Sequence, residues 1–318
     1  MANNAHPARG YLFIAAAALS WGIAASLGRA AFTGRLLPSG PALQIDPLIL
    51  SQSRTTFSFL VLCLFLTIKR GWRNLKLPAV DFGRMVLLGV LGVAVSNYFY
   101  YLAIQKTNVA TAIILQYTAP ILVLLYMVAR GRQKATLQRV AAVLLAVVGS
   151  GLAIGVAGRG GFRPNAVGTL AAILAAVSFS FYNIAGHSIL ARYDRWIVLL
   201  YTTFSAGGFW LVMNPPWKLA AAHYSGTVWI FLVVFAVVSA LAPFSFYFAG
   251  LQHLEPTRAI VVSCLEPVFS IVIAAFALGE LMGPLQILGI VLVLSAIVVV
   301  QLPDRAATEE TAVVEPIE

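Results

Sequence analysis

The chain has 318 residues, 60% of them hydrophobic and 10% charged, with a mean hydropathy of +0.90. A soluble domain carries roughly 25% charged residues, so no large soluble domain fits between the apolar runs and the composition is that of an integral membrane protein. The net charge of +10 does not indicate a nucleic-acid partner, because the basic residues fall in short clusters beside apolar runs (Lys69, Arg70, Arg73 and Lys76), as topology determinants do.

In chain order, ten apolar runs are each long enough to cross a hydrocarbon core of about 30 Å at 1.5 Å per residue. They lie near Tyr11–Phe32, Leu48–Ile68, Phe82–Ile104, Val109–Ala129, Thr136–Val156, Ala166–Leu190, Trp196–Met213, Val228–Gly250, Thr257–Leu278 and Pro284–Gln301. The first run is too long for the apolar region of a signal peptide, roughly 7–15 residues, and reads as an uncleaved spanning helix. The longest connection, Gly34–Pro47, is rich in proline and glycine. The segment after Leu302 is acidic and reads as a disordered cytoplasmic tail, 302–318. Cys63 and Cys264 sit inside apolar runs without metal-ligand spacing and read as small buried hydrophobes, so no metal, disulfide or cofactor is expected.

Orientation follows from the lysines and arginines. With the N-terminus inside, the inner flanks hold fourteen (Arg9, Lys69, Arg70, Arg73, Lys76, Arg84, Arg130, Arg132, Lys134, Arg139, Arg192, Arg195, Arg258, Arg305). The outer flanks hold six (Arg29, Arg35, Lys106, Arg159, Arg163, Lys218), and Arg54, within a span, completes the 21. This bias predicts both termini on the cytoplasmic side of a cell (inner) membrane.

The chain also repeats itself. An offset of 147 lays Tyr100 on Tyr247, Gln105 on Gln252, Ala112 on Ala259, Ile113 on Ile260 and Pro120 on Pro267. The same offset lays Ala141–Ala153 on Leu288–Val300, and Gly10–Ser20 aligns with Gly168–Ser178 at an offset of 158. Repeats at 10–156 and 166–301, with five spans each, must enter the membrane in opposite orientations. The expected fold is therefore all-α, with ten transmembrane helices as two inverted five-helix repeats, an arrangement suited to alternating access.

Several residues carry a resemblance to a known family. They are Ser20, Trp21 and Gly22 in the first span, Pro267, Val268 and Phe269 in the ninth, Leu278, Gly279 and Glu280 at its end, and Gln286 and Gly289 in the tenth. With these the chain resembles the drug/metabolite transporter superfamily, and specifically its EamA type, over roughly Gly10–Gln301. The resemblance implies a secondary exporter of amino acids or related small amphipathic metabolites, with drugs or sugar-type metabolites as the alternative. Arg132 and Gln133 stand where the Gly-Glu pair falls in the second repeat, so no role is carried over to them. An intramembrane enzyme is disfavoured because the sequence has no His-Glu-x-x-His, no Gly-x-Ser-x-Gly and no paired aspartates across spans. A homodimer is compatible with the sequence.

Glu266 is the leading site candidate. A carboxylate near the middle of a span costs roughly 3 kcal/mol on insertion scales, and such groups face a cavity or a partner. It is read either as a substrate-ammonium or proton site, or as a protonated acid bonded to a neighbouring helix. Its repeat mate is only Ala119. Pro267 beside it, and Pro120 in the first repeat, each remove a backbone donor and are expected hinges. Arg54 is the second charge within a span and has two readings, a bidentate clamp for a substrate carboxylate or a side chain snorkelling to the outer interface. Asn97 opens a run of aromatics, Tyr98–Tyr101, whose mate is Phe244–Phe248; the runs are either interfacial belts or a cavity lining. Trp21, Gln116, Tyr117, Tyr182 and Asn183 are further candidates for a shared substrate cavity, or for hydrogen bonds between helices. Gly151 and Gly155 are expected to let the fifth span pack closely.

Overall fold

The computed structural model describes residues 6–32, 45, 47–71, 77–107, 109–155, 165–221, 223–278 and 282–302. The acidic tail, the glycine-rich loop at 158–161 and the Gly279–Glu280 pair lie outside them. Among the described residues every regular element is helical. The first half contributes α1 (Pro7–Phe32), α2 (Pro47–Arg70), α3 (Ala79–Leu87), α4 (Val95–Lys106), α5 (Val109–Gln116), α6 (Ala119–Ala129) and α7 (Leu137–Ala153). The second contributes α8 (Ala166–Leu190), α9 (Arg195–Met213), the short α10 (Pro216–Ala220), α11 (Gly226–Ala236), α12 (Ala242–Leu251), α13 (Pro256–Ser263), α14 (Leu265–Leu278) and α15 (Pro284–Gln301). Among the described residues eight stretches are long and apolar enough to cross a membrane, and α7 is a shorter apolar helix of 17 residues.

Helix starts follow local chemistry. The side chains of Thr136, Asn165 and Asp194 cap α7, α8 and α9 by accepting from the backbone N–H of Arg139, Gly168 and Trp196. Proline, which lacks the N–H that a first turn leaves unbonded, stands at the start of α13 and α15. Asp194 also pairs with Arg70 at 3.0 Å, tying the end of α2 to the start of α9.

Two kinds of irregularity interrupt the spans, and the sequence reading anticipated only one. The expected continuous fourth and ninth spans are each divided just before their proline. α5 ends at Gln116 and α6 starts at Ala119, while α13 ends at Ser263 and α14 starts at Leu265. Unexpectedly, π-helical segments join α3 to α4 (Leu88–Ala94) and α11 to α12 (Val237–Leu241). At the offset of 147, Val90–Ala94 lies over Val237–Leu241, so both repeats carry the same distortion in the same place. Wider π turns occur mostly as bulges at functional sites.

Packing between the halves is symmetric under their exchange. α1 packs on α12 and α14, and its counterpart α8 packs on α4 and α6; α2 packs on α9, and α7 on α15. Burial follows: Tyr182, Tyr247, Phe248 and Trp210 are essentially fully buried in the central core. Tyr247 donates to the Asn183 side chain, whose own amide donates to the Phe179 carbonyl at 2.8 Å. An interfacial belt is therefore not what Tyr247 and Phe248 form; they close the middle of the bundle.

α7 crosses α15 closely at Gly149 and Gly289, where an added Cβ on Gly289 would lie 2.3 Å from the Ala153 nitrogen and 2.6 Å from the Gly149 carbonyl oxygen. Of the pair expected to let the fifth span pack closely, Gly151 does so on Ile114 of α5, 2.5 Å from an added Cβ, and Gly155, at φ +80°, stands beyond the end of α7.

Candidate functional site

A cavity of about 140 Å³ opens between the two halves, where the first π segment and the two broken spans meet. Its wall includes Trp21 from α1, Arg54 from α2, Asn97 from α4, Gln116 and Tyr117 at the end of α5, and Glu266 at the start of α14. Among the described residues of that wall, Arg54 and Glu266 are the charged ones.

Glu266 is held from across the bundle. The Tyr117 hydroxyl donates to Glu266 Oε2 at 3.0 Å, linking the break of one repeat to the break of the other. Arg54 donates through Nη2 to the Ser239 carbonyl at 2.7 Å, inside the π segment between α11 and α12. The guanidinium is also close enough to act electrostatically on Glu266. Arg54 thus points into the bundle rather than out to the interface.

The breaks expose backbone as well as side chains. In a continuous helix the residues at 120 and 267 would donate to the carbonyls of Gln116 and Ser263, and proline has no N–H with which to do so. Gln116 and Ser263 both line the cavity. Irregular backbone inside a membrane protein is tolerated where it borders a cavity of this kind.

Tyr182 and Asn183 stand apart from this wall. Tyr182 stacks on Phe248 at 5.2 Å and meets Phe244 edge-on at 5.6 Å, so it supports the cavity from behind Phe244. Asn183 is wholly buried and serves the bond to Tyr247.

Tyr100 and Phe244 come from the two aromatic runs for which a cavity lining was one alternative, whereas Phe179, Ser263, Cys264 and Ser96 were not singled out from the sequence as wall residues. The repeat register carried the signal for three of these four. Asn97 and Phe244, Gln116 and Ser263, Tyr117 and Cys264, and Ala119 and Glu266 are mates at the offset of 147. Trp21 and Phe179 are mates at 158, and all ten residues line the cavity. The cavity is thus built from equivalent positions of the two repeats, with unlike side chains at these five and isoleucine in both at Ile113 and Ile260. The motifs in the first and ninth spans also touch. An added Cβ on Gly22 would lie 2.9 Å from Phe269 Cβ and 3.3 Å from the Glu266 carbonyl oxygen, so a glycine there lets α1 lie against the start of α14.

Removing the Tyr117 hydroxyl tests the cross-repeat link. A hydrogen bond to a charged group contributes about 1.5–3 kcal/mol. Tyr117→Phe is expected to leave the fold intact and weaken substrate affinity, or slow transport, by about tenfold, measured as concentration-dependent uptake into vesicles. Unchanged uptake would show that the bond to Glu266 is incidental.

Eight membrane-length apolar stretches among the described residues, with a cavity enclosed between them, are the frame of a multi-pass membrane protein. The EamA-like transporter family model matches residues 8–155 and again residues 166–302, and the chain belongs to that family. An uncharacterized inner membrane transporter of Salmonella typhimurium, YicL, is 24% identical over 223 residues, which cover 70% of this chain and 73% of YicL. An uncharacterized transporter of Archaeoglobus fulgidus is 23% identical over 214 residues, covering 66% of this chain and 75% of the relative. One crystal structure, 20% identical, superposes with a TM-score of 0.75 over 93% of this chain and 97% of its own, and so shares the fold.

Proposed function

We propose that this chain is a secondary exporter of small zwitterionic solutes, of the α-amino-acid class, working by alternating access. The observation that carries the reading is the pairing of one carboxyl, Glu266, with one guanidinium, Arg54, in the wall of a single cavity. A free amino acid presents an ammonium and a carboxylate a few ångströms apart, and each finds its opposite charge there. The cavity's volume, about 140 Å³, supports a small ligand, since a cavity of about 150 Å³ accommodates benzene. Phosphorylated substrates would call for several basic residues, and Arg54 is the basic group in this wall.

The proposed frame is ten spans in two inverted repeats, 10–156 and 166–301, with both termini in the cytoplasm of a cell with an inner membrane. The exchange-symmetric packing and the lysine–arginine bias support it. In this reading the four helix breaks and π segments are the flexible points, Pro120 and Pro267 the hinges, and Trp21, Asn97, Gln116 and Tyr117 contact the solute beside Glu266 and Arg54. Tyr182 and Asn183 act on it only through the aromatic layer behind.

The test is uptake by inverted vesicles or proteoliposomes across a panel of amino acids, with and without a pH gradient. At least one amino acid is expected to accumulate and to be displaced by others of similar size. If none is transported while sugars or uncharged drugs are, the zwitterion reading fails. Arg54→Lys keeps the charge but loses the planar fork, so affinity for a carboxylate-bearing substrate is expected to drop about tenfold, as for the loss of one charge-assisted bond. Full transport at unchanged affinity would show that Arg54 holds no carboxylate.

A further inference from the structure

On the outside of the wall formed by α6 and α8 runs a second concavity that the transport reading does not use. It is a groove of about 570 Å³, lined mainly by apolar side chains, among them Leu87, Leu122, Phe181 and Ile184. Along α8 it extends from Val177 to Ile189, twelve residues or about 18 Å, which is the depth of one leaflet of a core about 30 Å thick. An apolar helix face is in itself only a surface for bulk lipid. This groove differs in how it ends.

At the C-terminal end of α8 it runs into a pocket of about 160 Å³ bordered by charged residues, with Arg84, Ser188 and Ile189 common to both. The pocket adds Arg192, Tyr193 and Asp81, and the rim of the groove adds Arg132. Asp81 is already engaged, accepting from Tyr193 at 2.5 Å and from Arg84 at 2.8 Å. Arg132 and Arg192 form no ion pair among the described residues. Three guanidiniums against one carboxylate leave two positive charges at the mouth of an acyl-length groove.

We propose that this groove and pocket seat one anionic phospholipid, with an acyl chain along α8 and the phosphate between Arg132 and Arg192. Charge selects the lipid class. A headgroup with an unbalanced phosphate relieves the cluster, whereas a choline headgroup brings its own cation into it. Basic pockets between transmembrane helices hold acidic headgroups by the same logic. The lipid spans α3, α6 and α8, so it clamps the first repeat to the second beside the broken fourth span.

The test uses the full chain purified in mixed micelles with equal amounts of phosphatidylglycerol and phosphatidylcholine, and reads the retained lipid by native mass spectrometry. Wild-type protein is expected to keep one phosphatidylglycerol, preferred over phosphatidylcholine by about tenfold or more, since each arginine at an acidic lipid contributes roughly fivefold. Arg132→Gln with Arg192→Gln is expected to bring that ratio close to one. Because both lipid signals fall together in a damaged protein, the ratio reports selectivity rather than folding. Ala185→Trp fills the groove but leaves every arginine, and is expected to lose the retained lipid. No preference in wild type, or an unchanged preference in the double variant, would overturn the proposal. So would retention by Ala185→Trp, which would mean that the arginines hold a headgroup or free phosphate without the groove.

Discussion

Glu266→Gln is expected to fold normally and to lose transport of its zwitterionic substrate by tenfold or more. The substitution keeps the size of the side chain, and an amide oxygen still accepts from the Tyr117 hydroxyl, now 3.0 Å from Oε2. What it removes is the charge and the capacity to bind and release a proton. A charge-assisted hydrogen bond to a substrate ammonium contributes about 1.5–3 kcal/mol, which is about 10- to 100-fold in affinity. The measurement is substrate binding and counterflow in proteoliposomes, run at several pH values. If binding is lost, Glu266 holds the cationic group, and simple amines should compete with the substrate while plain carboxylates should not. If binding persists but transport no longer responds to a pH gradient, the residue exchanges a proton during the cycle without anchoring the substrate. A variant with the wild-type rate and pH profile would make the acid a structural partner of Tyr117 and end the coupling idea.

Glu266 also shows how far a sequence can be read. A carboxylate in an apolar run is costly, so its importance was visible at once, and so was its mismatch with Ala119. The proline next to it located the break, because a missing N–H is a local property of the chain. The partner that holds it was less accessible. Tyr117 entered the sequence reading as one of several polar-capable residues, and nothing local says that its hydroxyl reaches the other repeat. The same limit applies to Asn183, for which a cavity wall and a bond between helices were both open from the sequence, and which bonds Tyr247. An amide inside a bundle must be satisfied, but composition does not say by whom. Phe244 was within a run offered as a cavity lining, and Ser263 and Cys264 were recoverable in principle. They are the repeat mates of Asn97, Gln116 and Tyr117, and a cavity between two related halves takes equivalent positions from both. The π segments were not recoverable. Leu88–Ala94 is an apolar run like its neighbours and Val237–Leu241 differs only by Ser239, so neither announces a widened turn.

The close crossing of α7 and α15, at Gly149 and Gly289, which the sequence reading did not assign to packing, supports the second large expected effect. Gly289→Ala should be strongly destabilising although it adds a single methyl group. The new Cβ would stand 2.3 Å from the Ala153 nitrogen and 2.6 Å from the Gly149 oxygen. Both obstacles are backbone atoms, which cannot rotate away as a side chain would, so the helices must separate along their length. Alanine in place of glycine favours a helix by about 1 kcal/mol, but overpacking a tight contact costs about 1–3 kcal/mol or more. Association of helices in lipid rests on this packing, with no hydrophobic drive to compensate. Thermal unfolding in detergent, followed by size-exclusion fluorescence, should therefore show a marked fall in the midpoint. Gly208→Ala in α9 is the control. Nothing lies within 4 Å of a Cβ there, so only the helix-propensity gain remains, and stability should hold or rise slightly. A wild-type midpoint for Gly289→Ala would show that α7 and α15 can part without cost.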